Sequence, residues 1–301
     1  MSRLLLLPMP GNEAFAAQLA ELLDAEVGSV TVRRFPDGES YVRIHSDVAD
    51  RQVAIVCTLH NPDPQFLSLM FAARETQTLG ATRVGLIAPY LSYLRQDKRF
   101  HPGEALSSTY FAQALSACFS WLVTVDPHLH RWPSLAEIYS LESVVLQAAK
   151  NLGVWIRDNV RNPKLIGPDE ESRQWVSVVA QVAQADFIVL EKTRFGDRDV
   201  RVRLPDAGEW SNVTPVLVDD IVSSAHTMIA VLKQWPQTQS MRPVCVAVHG
   251  VFADGAYEEL LAAGPARVVT TNAIPHESNL IDIAALVADG VRRFVQSNAS
   301  I

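Results

Sequence analysis

The sequence alternates between short apolar runs and longer amphipathic stretches, and this alternation constrains the fold more than any other feature. The apolar runs are rich in Val, Ile and Leu, as is typical of strands buried on both faces of a parallel sheet. We predict strands at residues 4–7, 53–57, 84–88, 121–125, 164–166, 187–190, 215–218, 244–248 and 267–271. The stretches between them predict amphipathic helices at residues 13–23, 65–79, 108–118, 143–152, 172–182, 227–234 and 256–262. The sequence therefore predicts an α/β fold of mainly parallel sheets flanked by helices.

Two segments interrupt this alternation. Residues 32–44 contain two alternating runs on either side of Pro36-Asp-Gly38, a combination that is typical of a β-hairpin. Residues 191–212 have no sustained periodicity. Long irregular connections in compact domains are usually lids, binding loops or disordered segments, so we expect one of these at 191–212.

The chain length and the two rounds of alternation favour two related domains, because 301 residues exceed the roughly 150 of an ordinary domain. We place the first domain at residues 1–140 and the second at residues 141–285, with a tail at 286–301.

Charge and cysteine content exclude several classes of protein. The formal net charge is −7, which disfavours general binding to nucleic acid, because phosphate neutralisation needs a concentrated basic face. The three cysteines form no C-x-x-C pair, which argues against a disulfide framework and a structural zinc site and favours a reducing compartment. The N-terminal apolar run ends at Pro8 and is too short for a signal peptide or a membrane span. We therefore expect a cytoplasmic protein without a membrane partner.

The strongest local candidate for a binding site is the segment 215–227, which reads Pro-Val-Leu-Val-Asp-Asp-Ile-Val-Ser-Ser-Ala-His-Thr. Ligands of open α/β sheets bind at the carboxyl ends of strands. Asp219 and Asp220 can accept hydrogen bonds from sugar hydroxyls there, and Ser223, Ser224 and Thr227 can receive a phosphate. The alternative interpretation is an acidic strand end followed by an ordinary serine helix cap.

Taken together, six segments resemble, in order, motifs of the ribose-phosphate diphosphokinase (phosphoribosyl diphosphate synthase) family, which has the type I phosphoribosyltransferase fold. The segments are Phe35-Pro-Asp-Gly-Glu39, Pro89-Tyr90 with Tyr93-Leu-Arg-Gln-Asp-Lys98, Val125-Asp-Pro-His128, Gly167-Pro-Asp169, Lys192-Thr-Arg194 and Asp219-Asp-Ile-Val-Ser-Ser-Ala-His-Thr227. The resemblance implies two phosphoribosyltransferase-like domains, with the ATP side in the first, the ribose 5-phosphate side in the second, and the tail packing on the first. It also implies transfer of a diphosphoryl group from ATP to ribose 5-phosphate.

The resemblance assigns the catalytic charges to Lys192 and Arg194. Diphosphoryl transfer needs in-line positioning and charge stabilisation more than covalent chemistry, so fixed cations near the β-phosphorus matter most. The alternative for these two residues is a solvated basic loop.

The resemblance also assigns Arg95, Gln96 and His128 to ATP, and His128 and Asp169 to Mg²⁺. A solvated, ion-paired turn is the alternative for Arg95 and Gln96, and a capping or packing role is the alternative for His128.

The resemblance implies that the hairpin residues Phe35, Asp37 and Glu39 contact the adenine of an ATP molecule bound to a neighbouring subunit. If the resemblance holds, the protein is a homo-oligomer whose active sites are shared between subunits.

On the acceptor side the resemblance places Asp169, Asp219 and Asp220 at the ribose and the five residues Ser223, Ser224, Ala225, His226 and Thr227 at the 5-phosphate. His226 replaces a glycine of the family pattern, so the loop either has an ordinary φ at 226 or has shifted. A protonated His226 is then a candidate phosphate contact.

Two acids, Glu170 and Glu171, follow Asp169 where relatives carry Gly or Lys, and we expect them to increase the need for magnesium or to alter the acceptor. The rival hypotheses are a catalytically silent, nucleotide-binding paralogue and a diphosphokinase for a different sugar phosphate.

Overall fold

The computed structural model describes residues 3–129, 131–194, 200–203, 210, 212–235 and 241–296. In chain order its strands and helices are β1 (Leu5–Pro8), α1 (Glu13–Leu23), β2 (Glu26–Val27), β3 (Val30–Arg34), β4 (Ser40–Ile44), β5 (Gln52–Val56), α2 (Asp63–Thr78), β6 (Arg83–Ala88), α3 (Ser107–Ser116), β7 (Trp121–Val125), β8 (Glu142–Leu146), α4 (Ala149–Asn159), β9 (Pro163–Gly167), α5 (Arg173–Ala183), β10 (Asp186–Val189), β11 (Glu191–Arg194), β12 (Val200–Arg203), β13 (Thr214–Val222), α6 (His226–Gln234), β14 (Val244–Gly250), α7 (Ala256–Ala262), β15 (Arg267–Thr271), β16 (Asn279–Ile281) and α8 (Ala284–Gln296).

The chain forms two compact units. The first runs to Leu146 and resumes at Ala284, and the second is Gln147–Ile283. The boundary follows Leu146 rather than residue 140 because Glu142–Leu146 is the edge strand of the first sheet.

The first unit is built on a six-stranded sheet in the order β2-β1-β5-β6-β7-β8, and all neighbouring strands are parallel. Its central strands are apolar and fully buried, as the sequence predicted. The residues between β2 and β5 form the predicted antiparallel hairpin, β3–β4, with Val32 opposite Val42.

The second unit repeats this arrangement with the order β10-β9-β13-β14-β15-β16, again all parallel. A second antiparallel hairpin, β11–β12, lies between β10 and β13, in the same topological position as β3–β4. The predicted fold of mainly parallel sheets flanked by helices is therefore confirmed, and the same topology occurs twice.

Both units contain a switch point, where the strand order reverses direction. In the first unit the switch point lies between β1 and β5, and in the second it lies between β9 and β13. The connections on either side of such a point leave in opposite directions, which opens a crevice at the carboxyl ends of the two strands.

The predicted helix at residues 143–152 is wrong. Residues 142–146 form β8, and the helix α4 begins at Ala149. Along β8, Val144 and Leu146 are buried and Val145 is exposed, a two-residue period that favours a strand.

The prediction of an irregular segment at 191–212 is wrong for two of its parts, because residues 191–194 and 200–203 pair as a hairpin. The alternating Val-Arg-Val-Arg of residues 200–203 is the signal for this strand.

The helix α8 lies mainly in the region predicted as a tail, and it belongs to the first unit. Its buried residues follow helical spacing, namely Ala284, Val287, Ala288, Val291 and Phe294. The Phe294 ring stacks on Trp121 of β7 with centroids 4.8 Å apart. The Arg292 guanidinium donates to the Leu22 carbonyl at the end of α1. No helix within the described ranges is long and apolar enough to cross a membrane.

Truncation of the Phe294 side chain tests this docking. We expect Phe294→Ala to lower the free energy of unfolding of the first unit by about 3 kcal/mol, because a buried aromatic ring leaves a cavity. Denaturant titration followed by tryptophan fluorescence measures the effect. The control is Glu75→Ala, which alters an exposed residue of α2 in the same unit. Equal midpoints for the two variants would contradict the docking.

Candidate active site

Three carboxylates meet at the switch point of the second unit. Asp169 lies two residues after the end of β9, and Asp219 and Asp220 lie near the carboxyl end of β13. The strands β9 and β13 are hydrogen-bonded neighbours, with Leu217 opposite Ile166. Because parallel strands end at the same edge, the pairing brings Asp169 and Asp219 close enough for their charges to interact.

The turn after β9 holds Asp169 in an extended conformation with φ −167°. The Ser172 backbone N–H donates to the Asp169 carboxylate at 3.3 Å, and the Ser172 hydroxyl donates to the Asp169 carbonyl at 2.6 Å. Asp169 thus caps the short turn that begins at Glu170, and it remains partly buried at the crevice.

The Asp219-Asp220 pair is fixed by local hydrogen bonds. The Asp220 backbone N–H donates to the Asp219 carboxylate at 2.9 Å, and the Ile221 N–H donates to the Asp220 carboxylate at 2.9 Å. Both side chains are partly buried. The structure therefore orders two acceptor groups, as a ligand with several hydroxyls requires.

The electrostatics of this cluster disfavour three negative charges. The pKa of Asp219 is raised well above its ordinary value, first by burial, then by the charge of Asp220 and a hydrogen bond with it, and further by the charge of Asp169. A cation or hydroxyl donors placed in the crevice would favour the ionised form.

The segment after β13 forms the predicted loop into a helix N-terminus. Ala225 has a left-handed φ of 56°, and α6 begins at the next residue, His226. Backbone hydrogen bonds from the segment after β14 hold the start of this loop in place. The Val222 carbonyl accepts from Val251 N–H at 2.9 Å and Phe252 N–H at 3.0 Å, and the Ser223 carbonyl accepts from Ala253 N–H at 3.1 Å.

This geometry explains how the chain accommodates His226. The left-handed position of the loop is Ala225, so residue 226 has an ordinary helical φ and needs no glycine. The His226 and Ser224 side chains are exposed, while Ser223 and Thr227 are partly buried.

One of the two extra acids, Glu170, has a partner that the sequence did not predict. Arg173, the first residue of α5, forms a bidentate ion pair with Glu170, and this pairing lowers the pKa of Glu170. Spacing of three residues in a helical turn is the signal that could have identified the pair.

In the first unit, the segments after β6 and β7 are neighbours at the carboxyl edge. These strands are paired, and the Val125 N–H donates to the Pro89 carbonyl at 3.3 Å. Gln96 is partly buried, and its side-chain carbonyl accepts a hydrogen bond from the Ser107 hydroxyl at 3.5 Å. Arg95 is exposed, and His128 is partly buried.

The β3–β4 hairpin presents its turn to solvent. Phe35 is 40% exposed, and Asp37 and Glu39 are exposed as well. Gly38 takes the φ of 92° that the turn requires. The Arg33 guanidinium lies 4.6 Å from the Phe35 ring centroid, a contact that the sequence analysis missed. An exposed aromatic ring supported by a cation is suited to stack on a planar base.

The positions of Lys192 and Arg194 lie in β11, opposite Val202 and Val200 of β12. Their side chains lie outside the part of the chain that the structure describes.

Among the described residues, no group of three or more His, Cys, Asp or Glu side chains forms a metal cage. Mg²⁺ does not require one, because it keeps several waters and binds through one or two carboxylates together with substrate phosphates. The oxygen donors and the raised pKa in the Asp169 and Asp219 cluster fit such a cation.

Comparison with known proteins finds matches over most of the chain. The family model for the N-terminal domain of ribose phosphate pyrophosphokinase matches residues 4–118, and the model for the phosphoribosyl transferase domain matches residues 134–285. The ribose-phosphate pyrophosphokinase of Methanopyrus kandleri is 32% identical over 280 residues, which is 91% of this chain and 94% of that protein. The chain belongs to the ribose-phosphate pyrophosphokinase family.

Other relatives agree with this assignment. The ribose-phosphate pyrophosphokinase of Sulfurisphaera tokodaii is 30% identical over 278 residues, which is 90% of this chain and 94% of that protein. The crystal structure of phosphoribosylpyrophosphate synthetase from Mycobacterium smegmatis has a similar fold, with a TM-score of 0.83, 22% identity, and coverage of 98% of this chain and 100% of that one. The family resemblance noted in the sequence is thereby confirmed, and the protein is an enzyme of the transferase class.

Neutralising Asp219 tests the electrostatics of the cluster. Because the folded state holds this proton more tightly than the unfolded state, wild-type stability falls as pH rises from about 4 toward the raised pKa. We expect Asp219→Asn to raise the Tm of the free protein at neutral pH and to lose this advantage near pH 4. Calorimetry in EDTA measures it, with Asp186→Asn, at an exposed site of the same unit, as the control. An equal or lower Tm at neutral pH would contradict the assignment.

The left-handed residue gives a second prediction. A left-handed conformation costs a residue with a Cβ about 1–2 kcal/mol, and replacement by glycine removes this cost. Part of the resulting gain in stability is offset because glycine has greater conformational freedom in the unfolded state. We expect Ala225→Gly to stabilise the protein by about 0.5 kcal/mol in a thermal unfolding assay. The control is Ala230→Gly inside α6, which should destabilise by about 1 kcal/mol. Similar losses for both variants would rule out strain at Ala225.

Proposed function

We propose that the protein is a ribose-phosphate pyrophosphokinase that converts ATP and ribose 5-phosphate into AMP and phosphoribosyl diphosphate. The observation that carries the proposal is the carboxylate crevice at Asp169, Asp219 and Asp220, followed by a loop that enters the N-terminus of α6. Family membership over most of the chain supports the same reaction.

In this reaction the anomeric oxygen of ribose 5-phosphate attacks the β-phosphorus of ATP. The bond from that phosphorus to the oxygen bridging the α-phosphate breaks, AMP leaves, and the hydroxyl proton is released. The protein supplies positioning and charge, since the phosphoryl group needs little covalent help.

The acceptor is held by the second unit. Asp219 and Asp220 accept hydrogen bonds from the ribose hydroxyls, and the ordered Asp219-Asp220 backbone keeps the two carboxylates in place. The 5-phosphate binds to the residues that lead into α6, where backbone N–H groups and the helix dipole favour an anion. These residues are Ser223, Ser224, Ala225, His226 and Thr227.

The donor is held by residues of the first unit. Arg95, Gln96 and His128 bind the nucleotide at the carboxyl edge of β6 and β7. The exposed Phe35, with Asp37 and Glu39, recognises the adenine of a nucleotide bound to a second copy of the chain. The enzyme is accordingly a homo-oligomer.

Lys192 and Arg194 stabilise the charge that develops on the transferred group. They lie two residues apart in β11, opposite Val202 and Val200 of β12. A hairpin that closes over the substrate also excludes water.

Mg²⁺ would be held by a ring nitrogen of His128 on the nucleotide side and by the Asp169 carboxylate on the ribose side. When bound, the cation neutralises charge on the phosphates. Asp169 is kept in place for this role by the Ser172 hydrogen bonds.

The replacement of glycine by an exposed His226 at the phosphate loop favours one second candidate, a diphosphokinase for a different sugar phosphate. Phosphorus NMR with ATP, Mg²⁺ and a panel of sugar phosphates separates the two. AMP release that depends on ribose 5-phosphate supports the main proposal. Exclusive use of another acceptor supports the second candidate, and failure to use any acceptor indicates a silent paralogue.

Removal of the Lys192 charge tests the catalytic assignment. We expect Lys192→Ala to keep its fold and to lose at least about 10²–10³-fold in kcat, because a charge used in the transition state is lost. Steady-state AMP release measures the effect. Lys150→Ala, at an exposed lysine of α4, is the control and should match the wild type. Equal rates for Lys192→Ala and Lys150→Ala would remove Lys192 from the mechanism.

A further inference from the structure

A buried carboxylate lies beside the proposed ATP residues. The Asp97 side chain is only 3% exposed, although it directly follows Arg95 and Gln96 in the segment between β6 and α3. Burial of a carboxylate is costly unless a cation or hydrogen-bond donors compensate it. The conformation of the Arg95-Gln96 segment therefore depends on what compensates Asp97.

Arg131 supplies this compensation from the other segment of the edge. Its Nη1 lies 3.1 Å from Oδ1 and 3.3 Å from Oδ2 of Asp97, so one nitrogen donates to both oxygens. Arg131 follows β7 and is three positions after His128. The ion pair thus joins the segment that carries Arg95 and Gln96 to the segment that carries His128.

The backbone makes such a link useful. Asp126, directly after β7, has a left-handed φ of 36° and precedes Pro127, two features that restrict the local conformation. The Asp126 N–H is held by the Leu146 carbonyl at 2.8 Å. The end of β7 is therefore fixed. Beyond it, the contact of the Arg131 side chain with Asp97 joins the segment after β7 to the segment after β6.

We propose that Arg131 is a positioning residue for the nucleotide donor. Its ion pair with Asp97 holds Arg95 and Gln96 in register with His128, so that all three meet the phosphates and base of one ATP. This inference rests on the proposed function, since it assumes that these residues bind ATP.

The energetics set the size of the effect. Loss of Arg131 leaves Asp97 buried without this partner, whereas loss of both charges removes that penalty. Half of the Arg131 side chain is exposed, so solvent screens the ion pair. We therefore expect its loss to cost less than the loss of a partner in a fully buried ion pair. We expect Arg131→Met to raise the KM for ATP about tenfold and to leave the KM for ribose 5-phosphate unchanged.

Four further variants make the test specific, namely Arg131→Lys, Asp97→Asn, the pair Arg131→Met with Asp97→Asn, and Glu142→Gln; Asp97→Asn alone should also raise the KM for ATP. Arg131→Lys should restore most of the affinity because it returns the charge. The pair Arg131→Met with Asp97→Asn should raise the KM for ATP by less than the product of the single effects. The control is Glu142→Gln, which removes a carboxylate paired with Arg83 at the amino edge of the same sheet and should change neither KM.

The test uses the full-length protein, with steady-state kinetics for both substrates and calorimetric titration with a non-hydrolysable ATP analogue. Calorimetry reports on nucleotide binding even in a variant without turnover, and circular dichroism identifies any variant that fails to fold. If Arg131→Met does not fold, the Asp97→Asn and Arg131→Lys variants carry the test.

Two outcomes overturn the inference. One is an unchanged KM for ATP in Arg131→Met, and the other is an equal rise of both KM values with multiplicative effects in the double variant. Failure of the proposed function is distinct, because the wild type would then form no phosphoribosyl diphosphate.

Discussion

The parallel pairing of β9 with β13 is the interaction on which the active site depends. It brings the ends of two strands that are separated by about fifty positions in the chain to one edge, with Leu217 opposite Ile166. Asp169 and Asp219 are close only because of this pairing. The raised pKa of Asp219 is the electrostatic consequence. Hydroxyl donors or a cation at this edge would stabilise the ionised carboxylates. The second sheet therefore stabilises an arrangement that its carboxylates alone would oppose.

Three unfavourable local features lie at the two candidate binding edges. Ala225 and Asp126 both have positive φ angles; Ala225 lies within the proposed phosphate-binding segment, and Asp126 lies between β7 and His128. Asp97 is a buried carboxylate in a third such segment. Residues of this kind persist only where the surrounding structure determines them, and here hydrogen bonds from the strand ends and ion pairs do so. Such energetically costly conformations are expected where catalysis depends on positioning, because the protein then contributes geometry and charge rather than a covalent intermediate.

The sequence predicted what depends on local periodicity and failed where the signal depends on context. Apolar runs such as 121–125 became buried strands because a parallel sheet covered on both faces needs no polar alternation. Residues 142–146 were misread as helix, since a short edge strand next to a true helix resembles an extension of that helix. Motif residues identified Asp219 and Asp220 as candidates, but not Arg131, because an ion pair that joins two segments has no signature in either segment alone.

The repeated topology shows how one fold supports two different edges. In the first unit, the switch point between β1 and β5 holds Asn12, which is buried, and its side-chain carbonyl accepts from the Thr58 N–H at 2.8 Å. The same amide donates to the Met9 carbonyl at 3.2 Å, so a neutral side chain lies at this edge, whereas carboxylates lie at the corresponding edge of the second unit. The candidate nucleotide residues of the first unit lie one step along the sheet, after β6 and β7. Because the two sheets have the same strand order, the difference between the two edges comes from the side chains placed there and not from the topology.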